Sequence, residues 1–278
     1  MWTLILLASA AVAADQPILV HGHRGARARF PENTLPAFEY AIAIGVDALE
    51  LDLAVTKDNV LVVSHDPYLH APTCKGPVEK AAIRELTLAQ VREWDCGAIR
   101  HPQFKTQQTV PGTRMPTLDE VLALAPKGKF EFNIETKIFE ASPELTPSAE
   151  EFASLLVKAI EKHKLVKRCM IQSFDFRTLI AARKRNPKIR LSALYEPGPK
   201  DYVTLSKEAA NAEIVSPHYR TITPAKVKAA HDAGLRVVPW TANTPKDWDA
   251  LIEAKSDAII GDDPAALLEY LRARKLHK

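Results

Sequence analysis

The stretch Leu49-Glu50-Leu51-Asp52-Leu53 decides the fold that this chain can adopt. Because successive side chains of a β-strand point to opposite faces, the leucines share one face and Glu50 and Asp52 share the other. A solvated sheet edge can carry neighbouring acids. In a barrel, however, both faces of a strand are covered, so two ionised carboxylates would repel each other and resist desolvation unless a cation joined them. The stretch therefore favours a buried strand with one polar face.

Short apolar runs like this one recur along the 278 residues, and most are followed by an amphipathic segment. Repeated strand-then-helix units require parallel strands joined by right-handed crossovers, and eight such units can close into a barrel of about 250 residues. The sequence therefore predicts a single (β/α)8 TIM barrel of the α/β class, with an open doubly wound sheet as the alternative. The predicted strands are residues 18–22, 48–55, 130–137, 169–174, 189–195, 212–216, 236–241 and 258–262. The predicted helices are residues 34–44, 118–124, 149–163, 176–186, 223–233 and 245–254.

One stretch interrupts this alternation after the second strand. Residues 60–64 are expected to form a hairpin with that strand through the turn Lys57-Asp58-Asn59. Residues 67–116 then carry few strand signals and many Gly, Pro, Gln and Thr. We expect this second stretch to be a loop-rich insertion that covers one rim of the barrel.

The three cysteines, Cys74, Cys96 and Cys169, cannot all pair with one another. Cys74 and Cys96 lie in the loop-rich stretch, whereas Cys169 opens an apolar strand. In an oxidising compartment a Cys74–Cys96 disulfide is therefore the favoured pairing, and three free buried thiols are the alternative. The sequence contains no Cys-x-x-Cys pair, which argues against a metal bound by cysteine.

The N-terminal residues predict a secretory signal. An apolar run is followed by Ala11-Val12-Ala13, the small-x-small pattern that a signal peptidase recognises. We expect residues 1–13 to be a signal peptide and residues 14–278 to form the barrel domain in the periplasm or outside the cell. A hydrophobic first strand is the alternative. The run is shorter than the roughly 20 residues that span a bilayer, so no stable membrane insertion is expected.

Composition narrows the classes of partner. Apolar residues make up 46% of the chain and charged residues 26%, as in ordinary globular proteins with a sizeable core. The 37 basic and 34 acidic residues give a net charge of +3, and the basic residues are spread along the chain. This distribution argues against nucleic acid as a partner. The sequence does not specify an oligomeric state.

A second strand repeats the polar face of the first. Within residues 130–137, Glu131, Asn133, Glu135 and Lys137 share one face, and the other face is mostly apolar. Glu135 and Lys137 lie at the C-terminal end of the strand, which is where barrel enzymes place their active sites. This strand therefore adds a carboxylate and an ammonium group to the candidate site.

The acids of the two strands suggest a metal site. Glu50, Asp52 and Glu135 would supply three carboxylates from neighbouring positions at the exits of barrel strands. An all-oxygen set of ligands suits a hard ion such as Ca²⁺ or Mg²⁺ better than zinc. We therefore expect one divalent cation, and the spacing does not rank calcium against magnesium.

Two histidines also follow apolar runs. His23 and Arg24 lie between glycines after the first strand, where the backbone can approach a ligand closely, and His65 ends the run 60–64. A single histidine at such a place is more often structural than catalytic. Two histidines, three acids, an arginine and a lysine that all fall at strand exits instead indicate acid–base chemistry beside a metal.

A series of short motifs extends over nearly the whole chain after the predicted signal. They are His23-Arg24-Gly25-Ala26, Pro31-Glu32-Asn33-Thr34, Gly45-Val46-Asp47, Glu50-Leu51-Asp52, Thr56-Lys57-Asp58, His65-Asp66, Pro116-Thr117-Leu118, Glu135-Thr136-Lys137, Ser173-Phe174-Asp175, Trp240-Thr241-Ala242-Asn243 and Asp262-Asp263-Pro264. This multi-part pattern resembles the signature of the glycerophosphodiester phosphodiesterase family. Two departures are small: Asn59 stands where glycine often closes the hairpin, and Gly261 replaces the usual threonine before Asp262.

The resemblance implies an enzyme, a phosphoric diester hydrolase. Its substrates would be small glycerophosphodiesters such as glycerophosphocholine or glycerophosphoethanolamine, which it would cleave to glycerol 3-phosphate and an alcohol. The resemblance assigns Glu50, Asp52 and Glu135 to the metal, His23 and His65 to acid–base catalysis, and Arg24 and Lys137 to the phosphate. Trp240, at the end of the seventh strand, is expected to form an apolar wall for the glycerol carbons, with a core tryptophan as the alternative.

Two other functions are compatible with the same scaffold. A phospholipase acting on lysophospholipid or sphingomyelin would need a membrane-facing loop rich in Trp, Phe and Leu. The insertion offers Trp94 and Phe104 among polar residues, so soluble diesters are preferred. A non-catalytic periplasmic binding protein would have lost a histidine or an acid of the site. The head group, the nucleophile (water or a glycerol hydroxyl) and the division of acid and base between the histidines stay open.

Overall fold

Parallel strands alternate with helices in the computed structural model, which describes residues 17–278. In chain order the strands are β1 (Leu19–Gly22), β2 (Ala48–Val55), β3 (Leu61–Val63), β4 (Tyr68–His70), β5 (Lys80–Ala82), β6 (Glu131–Thr136), β7 (Cys169–Ser173), β8 (Arg190–Tyr195), β9 (Ile214–Pro217), β10 (Arg236–Val237) and β11 (Ala258–Gly261). The α-helices are α1 (Leu35–Ile44), α2 (Leu88–Val91), α3 (Leu118–Leu122), α4 (Ala149–Lys162), α5 (Phe176–Arg185), α6 (Tyr202–Glu208), α7 (Pro224–Asp232), α8 (Pro245–Glu253) and α9 (Pro264–Ala273). The predicted signal peptide, residues 1–13, lies outside the described residues.

Eight of these strands form a parallel sheet in the order β10-β9-β8-β7-β6-β2-β1-β11. Two backbone hydrogen bonds, from Asp257 N to Val237 O and from Ile260 N to Pro239 O, join its two edges at 3.0 Å each. The sheet is therefore nearly closed into a barrel, and the predicted (β/α)8 fold is confirmed.

The barrel strands have an apolar outer face and a polar inner face around the site. All eight residues of β2 are buried. Leu49 and Leu51 belong to the main apolar core between strands and helices, and burial of one such side chain stabilises the fold by roughly 1.5–3 kcal/mol. Glu50 and Asp52 face the interior, where Glu50 accepts a hydrogen bond from Gln172 of β7 at 2.8 Å. The alternation in β2 thus separates the core from the site.

Side chains at the helix starts explain where several helices begin. Thr34 accepts a hydrogen bond from Ala37 N at the start of α1, and Gly45, with φ of 87°, ends this helix in the left-handed conformation. Thr223 and Thr244 cap α7 and α8 in the same way, each followed by proline. In residues 17–278 no helix combines the length and the apolar character needed to cross a membrane.

The elements differ from the sequence prediction in a few places. Helices α2, α6 and α9 were not among the predicted helices, although Asp263 caps α9 and Pro264 opens it. The strand predicted at 236–241 ends at Val237, because Pro239 has no N–H to donate to a strand ladder. The other predicted barrel strands agree with the structure to within two residues at each end.

The stretch 67–116 covers one rim of the barrel. Before it, β3 pairs antiparallel with β2, as the predicted hairpin requires. Within it, β4 and β5 form a separate two-stranded sheet. The Gln107 side-chain amide donates to Arg27 O at 2.7 Å and to Phe30 O at 3.1 Å. The insertion is thereby held against the loop between β1 and α1, which carries residues of the site.

A disulfide lies at the centre of this insertion. Cys74 and Cys96 are bonded to each other and pack with Trp94 in a second apolar cluster, separate from the main core. Cys169 is a free, buried cysteine. The predicted pairing is therefore confirmed, and the alternative of three free thiols is wrong.

Candidate active site

Three carboxylates meet inside the barrel towards the C-terminal ends of β2 and β6. Asp52 lies opposite Glu135 in the register of the two strands, and Glu50 lies two residues before Asp52 on the same face. One oxygen from each carboxylate lies within 4.8 Å of the others, and all three residues are buried. The structure thus brings together the three acids that the sequence analysis assigned to a metal.

Burial and mutual repulsion set the charge of these acids. Burial, together with the charges of Asp52 and Glu135, raises the pKa of Glu50 well above its usual value. Burial also raises the pKa of Glu135 to about 7, although Lys137 opposes this shift. Burial acts in the same direction on Asp52, but His65, Arg24 and Lys137 together hold the pKa of Asp52 below its usual range. Burial and mutual repulsion therefore oppose the simultaneous ionisation of all three groups.

The donor set fits a hard divalent cation. All three candidate ligands are carboxylates, and a cation at their centre would relieve the repulsion that raises the pKa of Glu50 and Glu135. Two of the carboxylates are also hydrogen-bonded to neighbouring residues. Glu50 accepts from Arg24 N at 2.8 Å, and Asp52 accepts from the Asn33 side-chain amide at 3.0 Å. Such bonds orient a ligand and leave its other lone pairs available.

Two cationic side chains border the carboxylates. Arg24 donates from Nη1 to Glu32 Oε1 at 2.6 Å, and its Nε lies 3.4 Å from Asp52 Oδ2. Lys137 Nζ lies 2.8 Å from Glu135 Oε1 and 3.9 Å from Asp52 Oδ1. Both cations are mostly buried and are held by ion pairs. They therefore extend the site with fixed positive charge that suits a phosphate.

The backbone of the first strand exit is shaped by glycine. A Cβ on Gly22 would lie 2.1 Å from Gly25 O, so the chain can fold back on itself only with glycine at this position. The turn places Arg24 at φ of 49° and directs its N–H towards Glu50. The sequence predicted that glycine here lets the backbone approach a ligand. In the structure, Gly22 lets the backbone approach Gly25 of the same turn.

His23 is paired with an aspartate from the last barrel strand exit. Its Nδ1 lies 2.5 Å from Asp262 Oδ1. Burial lowers the pKa of His23, although Asp262 opposes this shift. The other oxygen of Asp262 accepts from the Asn243 amide at 2.7 Å, and Asp262 N donates to Asn243 Oδ1 at 2.8 Å. His23 is therefore held in one orientation by a hydrogen-bonded carboxylate.

His65 has a similar but more exposed partner. Its Nδ1 lies 2.9 Å from Asp66 Oδ1, and His70 Nε2 lies 3.3 Å from the other oxygen of the same carboxylate. The hydrogen bond with His65 contributes most to lowering the pKa of Asp66 to about 2. The field of His65 also lowers the pKa of Asp52 and Glu135. Ser64, the residue before His65, donates its N–H to Asp52 O at 3.0 Å, which places the start of this loop beside the carboxylate cluster.

An aromatic wall stands at the exits of β7 and β10. The Trp240 ring meets Phe174 edge-on at 5.4 Å and His218 at 5.2 Å between centroids. Trp240 Nε1 donates to Ser216 O at 2.8 Å, which fixes the indole. Lys137 Nζ lies 5.8 Å from the Phe174 ring. Trp240 is thus half-buried at the barrel mouth, on the same side as Phe174.

Several residues of the site were not assigned a role from the sequence. They are Glu32, Asn33, Gln172, Asn243 and Asp262, which bond Arg24, Asp52, Glu50, Asp262 and His23 respectively. All except Gln172 belong to motifs quoted above. Strand alternation places Gln172 on the inner face of β7, but it does not identify Glu50 as its partner.

The chain matches the model of the family described as the glycerophosphoryl diester phosphodiesterase family over residues 23–266. It is 34% identical over 256 residues to a glycerophosphodiester phosphodiesterase of Caldanaerobacter subterraneus subsp. tengcongensis, a match that covers 91% of this chain and 98% of that protein. The matched residues include His23, Arg24, Glu50, Asp52, His65, Glu135, Lys137, Trp240 and Asp262.

Solved structures share the fold over nearly the whole chain. A candidate glycerophosphoryl diester phosphodiesterase from Silicibacter pomeroyi superposes with a TM-score of 0.88 at 27% identity, covering 95% of this chain and 96% of that one. A phosphodiesterase from Oleispira antarctica, solved with its product sn-glycerol-3-phosphate, has a TM-score of 0.78 at 22% identity. This second match covers 92% of this chain and 97% of that one, and at its level of identity it bears on the fold alone.

Proposed function

Because the chain belongs to the glycerophosphoryl diester phosphodiesterase family of phosphoric diester hydrolases, we propose that it cleaves small glycerophosphodiesters to glycerol 3-phosphate and an alcohol. The observation that carries the proposal is the buried cluster of Glu50, Asp52 and Glu135. His23, which follows β1, and His65, which follows β3, are each paired with an aspartate.

Glu50, Asp52 and Glu135 would hold one divalent cation, Ca²⁺ or Mg²⁺. When bound, such a cation supplies positive charge to the non-bridging oxygens of the phosphate. Arg24 and Lys137 add two further cations at the same place. Their ion pairs with carboxylates hold them in position before the substrate arrives, so little reorganisation accompanies the reaction.

His23 and His65 would move the protons. Water or the glycerol hydroxyl next to the phosphate attacks phosphorus, and the bond from phosphorus to the leaving alcohol breaks. Attack by water gives glycerol 3-phosphate directly, whereas attack by the hydroxyl gives a cyclic phosphate that water then opens to glycerol 3-phosphate. One histidine takes the proton of the attacking oxygen, and the other gives a proton to the leaving oxygen. Asp262 and Asp66, at the Nδ1 atoms, would keep a proton there and leave each Nε2 free for transfer. Trp240 would contribute an apolar wall for carbon atoms of the substrate.

The insertion supports soluble diesters over bilayer lipids. Trp94 is 1% exposed and packs in the insertion's own core. The Phe104 ring lies beneath Arg27, 5.1 Å from the guanidinium carbon. Trp94 is buried and Phe104 is covered on one face by Arg27, which argues against the exposed aromatic loop that a phospholipase would need here.

The disulfide supports an extracytoplasmic location, either the periplasm or the outside of the cell. Disulfides such as Cys74–Cys96 persist in oxidising compartments and are rare in the cytosol. Cleavage of the signal after residue 13 would leave a mature chain that begins at Ala14. The mass of the exported protein measures this directly, and a mass that includes residues 1–13 would contradict the cleavage.

The proposed function is tested by the release of glycerol 3-phosphate from glycerophosphocholine. Exhaustive chelation and His65→Ala should each lower turnover by at least about 100-fold, because one removes the cation and the other a proton-transfer group. Circular dichroism should be unchanged for both. His163→Ala is the matched control, since His163 pairs with Asp119 on the outer surface. Undiminished turnover after chelation would contradict the metal role.

A further inference from the structure

A groove lies beside the active site, between the loops that follow β6, β7 and β8. This cleft, hereafter the rim groove, is bordered by Ile138, Phe174, Ile180, Tyr195 and Leu205. Its volume of about 560 Å³ lies within the roughly 300–1,000 Å³ typical of small-molecule sites. The roles proposed for the metal, phosphate and proton-transfer residues do not use it.

The rim groove is continuous with the active site. Phe174 lines the groove, and its ring lies 5.8 Å from Lys137 Nζ and 5.4 Å from the Trp240 ring. Leu194 also lines the groove and lies two residues after Ser192, whose hydroxyl is hydrogen-bonded inside the barrel. Leu194 is therefore on the inward face of β8, and the groove opens from the mouth of the barrel.

The outer wall of the groove is held by defined contacts. Lys200 N donates to the Tyr195 hydroxyl at 3.1 Å, so the loop after β8 folds back over the phenol ring. Lys200 Nζ donates to Glu208 Oε2 of α6 at 2.6 Å. These bonds tie the loop to the helix and keep one side of the groove in place.

The surface of the groove is apolar and exposed. In the described part of the chain, three large apolar side chains are exposed, and two of them lie here: Phe174 at 41% and Ile180 at 37%. Exposed apolar residues that gather at one place, next to a catalytic site, are typical of a binding surface. Phe174 and Tyr195 also offer aromatic rings.

The rim of the groove carries an excess of negative charge. Its two cations are paired with acids: Lys200 as described above, and Arg177 with Asp175, whose Oδ1 lies 2.9 Å from Nε. Glu140 and Glu196 line the same groove. Within residues 17–278 neither of these two glutamates has a cationic partner at ion-pair distance. The groove therefore combines apolar and aromatic surface with two carboxylates that form no ion pair with the described residues.

We propose that the rim groove is the subsite for the leaving alcohol, and that it selects an alcohol carrying a substituted ammonium group. The proposal rests on the phosphodiesterase function proposed above. A methylated ammonium is attracted to aromatic faces and to carboxylates, and its methyl groups match an apolar floor. A polyol would place its hydroxyl groups against the same floor without hydrogen-bond partners, which is unfavourable.

The distances fit a short amino alcohol. In a diester of such an alcohol, two carbons separate the leaving oxygen from the nitrogen, which lies roughly 5 Å from phosphorus. A phosphate bound at Lys137 would therefore place the ammonium group near the Phe174 ring, 5.8 Å from Nζ. Glu140 and Glu196 lie further along the groove. Their negative charge would attract a cationic leaving group more strongly than a neutral one.

Two diesters with similarly short leaving groups test the proposal. The full-length protein, supplied with Ca²⁺ or Mg²⁺, is assayed for kcat/KM on glycerophosphocholine and on glycerophosphoglycerol. We expect the choline diester to be preferred by roughly tenfold at low ionic strength. The preference should shrink as salt is added, because the rim carboxylates are exposed to solvent.

Variants assign the preference to the groove. The double variant Glu140→Gln/Glu196→Gln should reduce the ratio of the two kcat/KM values by roughly fivefold, mainly through KM for the choline diester. Phe174→Leu should reduce the same ratio because it removes the aromatic face and keeps an apolar side chain. The matched control is Glu269→Gln on the exposed surface of α9, which should leave the ratio unchanged.

The outcomes separate this inference from the proposed function. If neither diester is hydrolysed, the phosphodiesterase function itself is wrong. If both are hydrolysed and glycerophosphoglycerol is used equally well or better, the subsite is wrong and the function stands. A ratio that stays at the wild-type value in both the double variant and Phe174→Leu would also overturn the subsite.

Discussion

At the scale of single residues, the two histidines differ in their surroundings although each has an aspartate at Nδ1. The side chains of His23 and Asp262 are 13% and 6% exposed, whereas those of His65 and Asp66 are 34% and 39% exposed. Burial raises the cost of leaving either member of the first pair without its partner. The pair of His23 and Asp262 is therefore the one in which the loss of the carboxylate has the larger effect.

Asp262→Asn should lower kcat by at least about 100-fold, because the amide no longer favours the Nδ1-protonated orientation of His23. The pH profile of kcat/KM should also change, since Asp262 opposes the effect of burial on the pKa of His23. The measurement is steady-state hydrolysis of glycerophosphocholine between pH 5 and 9.

The matched control is Asp232→Asn, which removes a surface ion pair with Lys228 on α7. It should leave both kcat and the pH profile unchanged. An Asp262→Asn variant with wild-type kcat and an unaltered profile would show that the carboxylate does not position His23.

Sequence patterns predicted the acids of the site but not the residues that bond to them. The alternation of side chains along β2 and β6 was sufficient to predict that Glu50, Asp52 and Glu135 share one inner surface. It could not identify Asp262 as the partner of His23, because the two lie 239 positions apart and meet only when the barrel closes. Gln172 was not predicted for a similar reason. Its hydrogen bond to Glu50 joins β7 to β2 across β6, which lies between them.

At the scale of elements, the insertion is a small structure with its own apolar cluster around Cys74, Cys96 and Trp94. It contains few regular elements, so the disulfide is an important constraint on it. The cysteines are separated by 22 positions in the chain. A disulfide that closes a loop of this size stabilises the folded state by about 3 kcal/mol in the chain-entropy model.

The double variant Cys74→Ser/Cys96→Ser should therefore lose about 3 kcal/mol of unfolding free energy, measured by urea denaturation. Hydrogen exchange should become faster in β4 and β5, which lie between or beside the two cysteines, and should change little in β8. The control is Cys169→Ser, which replaces a free cysteine of β7 and breaks no disulfide. It should leave exchange in β4 and β5 unchanged. Equal exchange in β4 and β5 of the double variant and the wild type would contradict the constraining role.

The elements that sequence patterns predicted are those with long apolar runs or clear helix caps. The eight barrel strands were found because their outer faces must pack against helices. Helix α6 was missed since it has only seven residues and follows a polar loop. Helix α9 was not predicted although Asp263 caps it and Pro264 marks its start. Short elements depend on the neighbours against which they pack, and these are not visible in a local pattern.

At the scale of the whole molecule, His21 links stability to pH. It lies inside the barrel and is 2% exposed. Burial lowers its pKa to about 4, although Asp47 opposes this shift. Between pH 6.5 and 4 the His21 of the unfolded chain binds a proton that the folded protein excludes, so the contribution of His21 to folding stability falls as pH falls through this window. The loss is about 3 kcal/mol and levels off below pH 4.

His21→Gln should remove this contribution, so that the variant loses less stability than the wild type as pH falls from 6.5 to 4, because glutamine binds no proton in either state. Urea denaturation of the wild type and the variant at several pH values between 4 and 7 measures the difference. His163→Gln, at the surface, should keep the wild-type slope. Parallel profiles for the wild type and His21→Gln would contradict the assignment.

The pairing of β1 with β11 also determines when the enzyme can become active during synthesis. His23 is among the first described residues to leave the ribosome, and Asp262 follows 239 positions later. The first strand has no neighbour on that side, and its histidine no partner, until nearly the entire polypeptide has been translated. A nascent chain thus lacks the pair of His23 and Asp262 until its last barrel strand has been made.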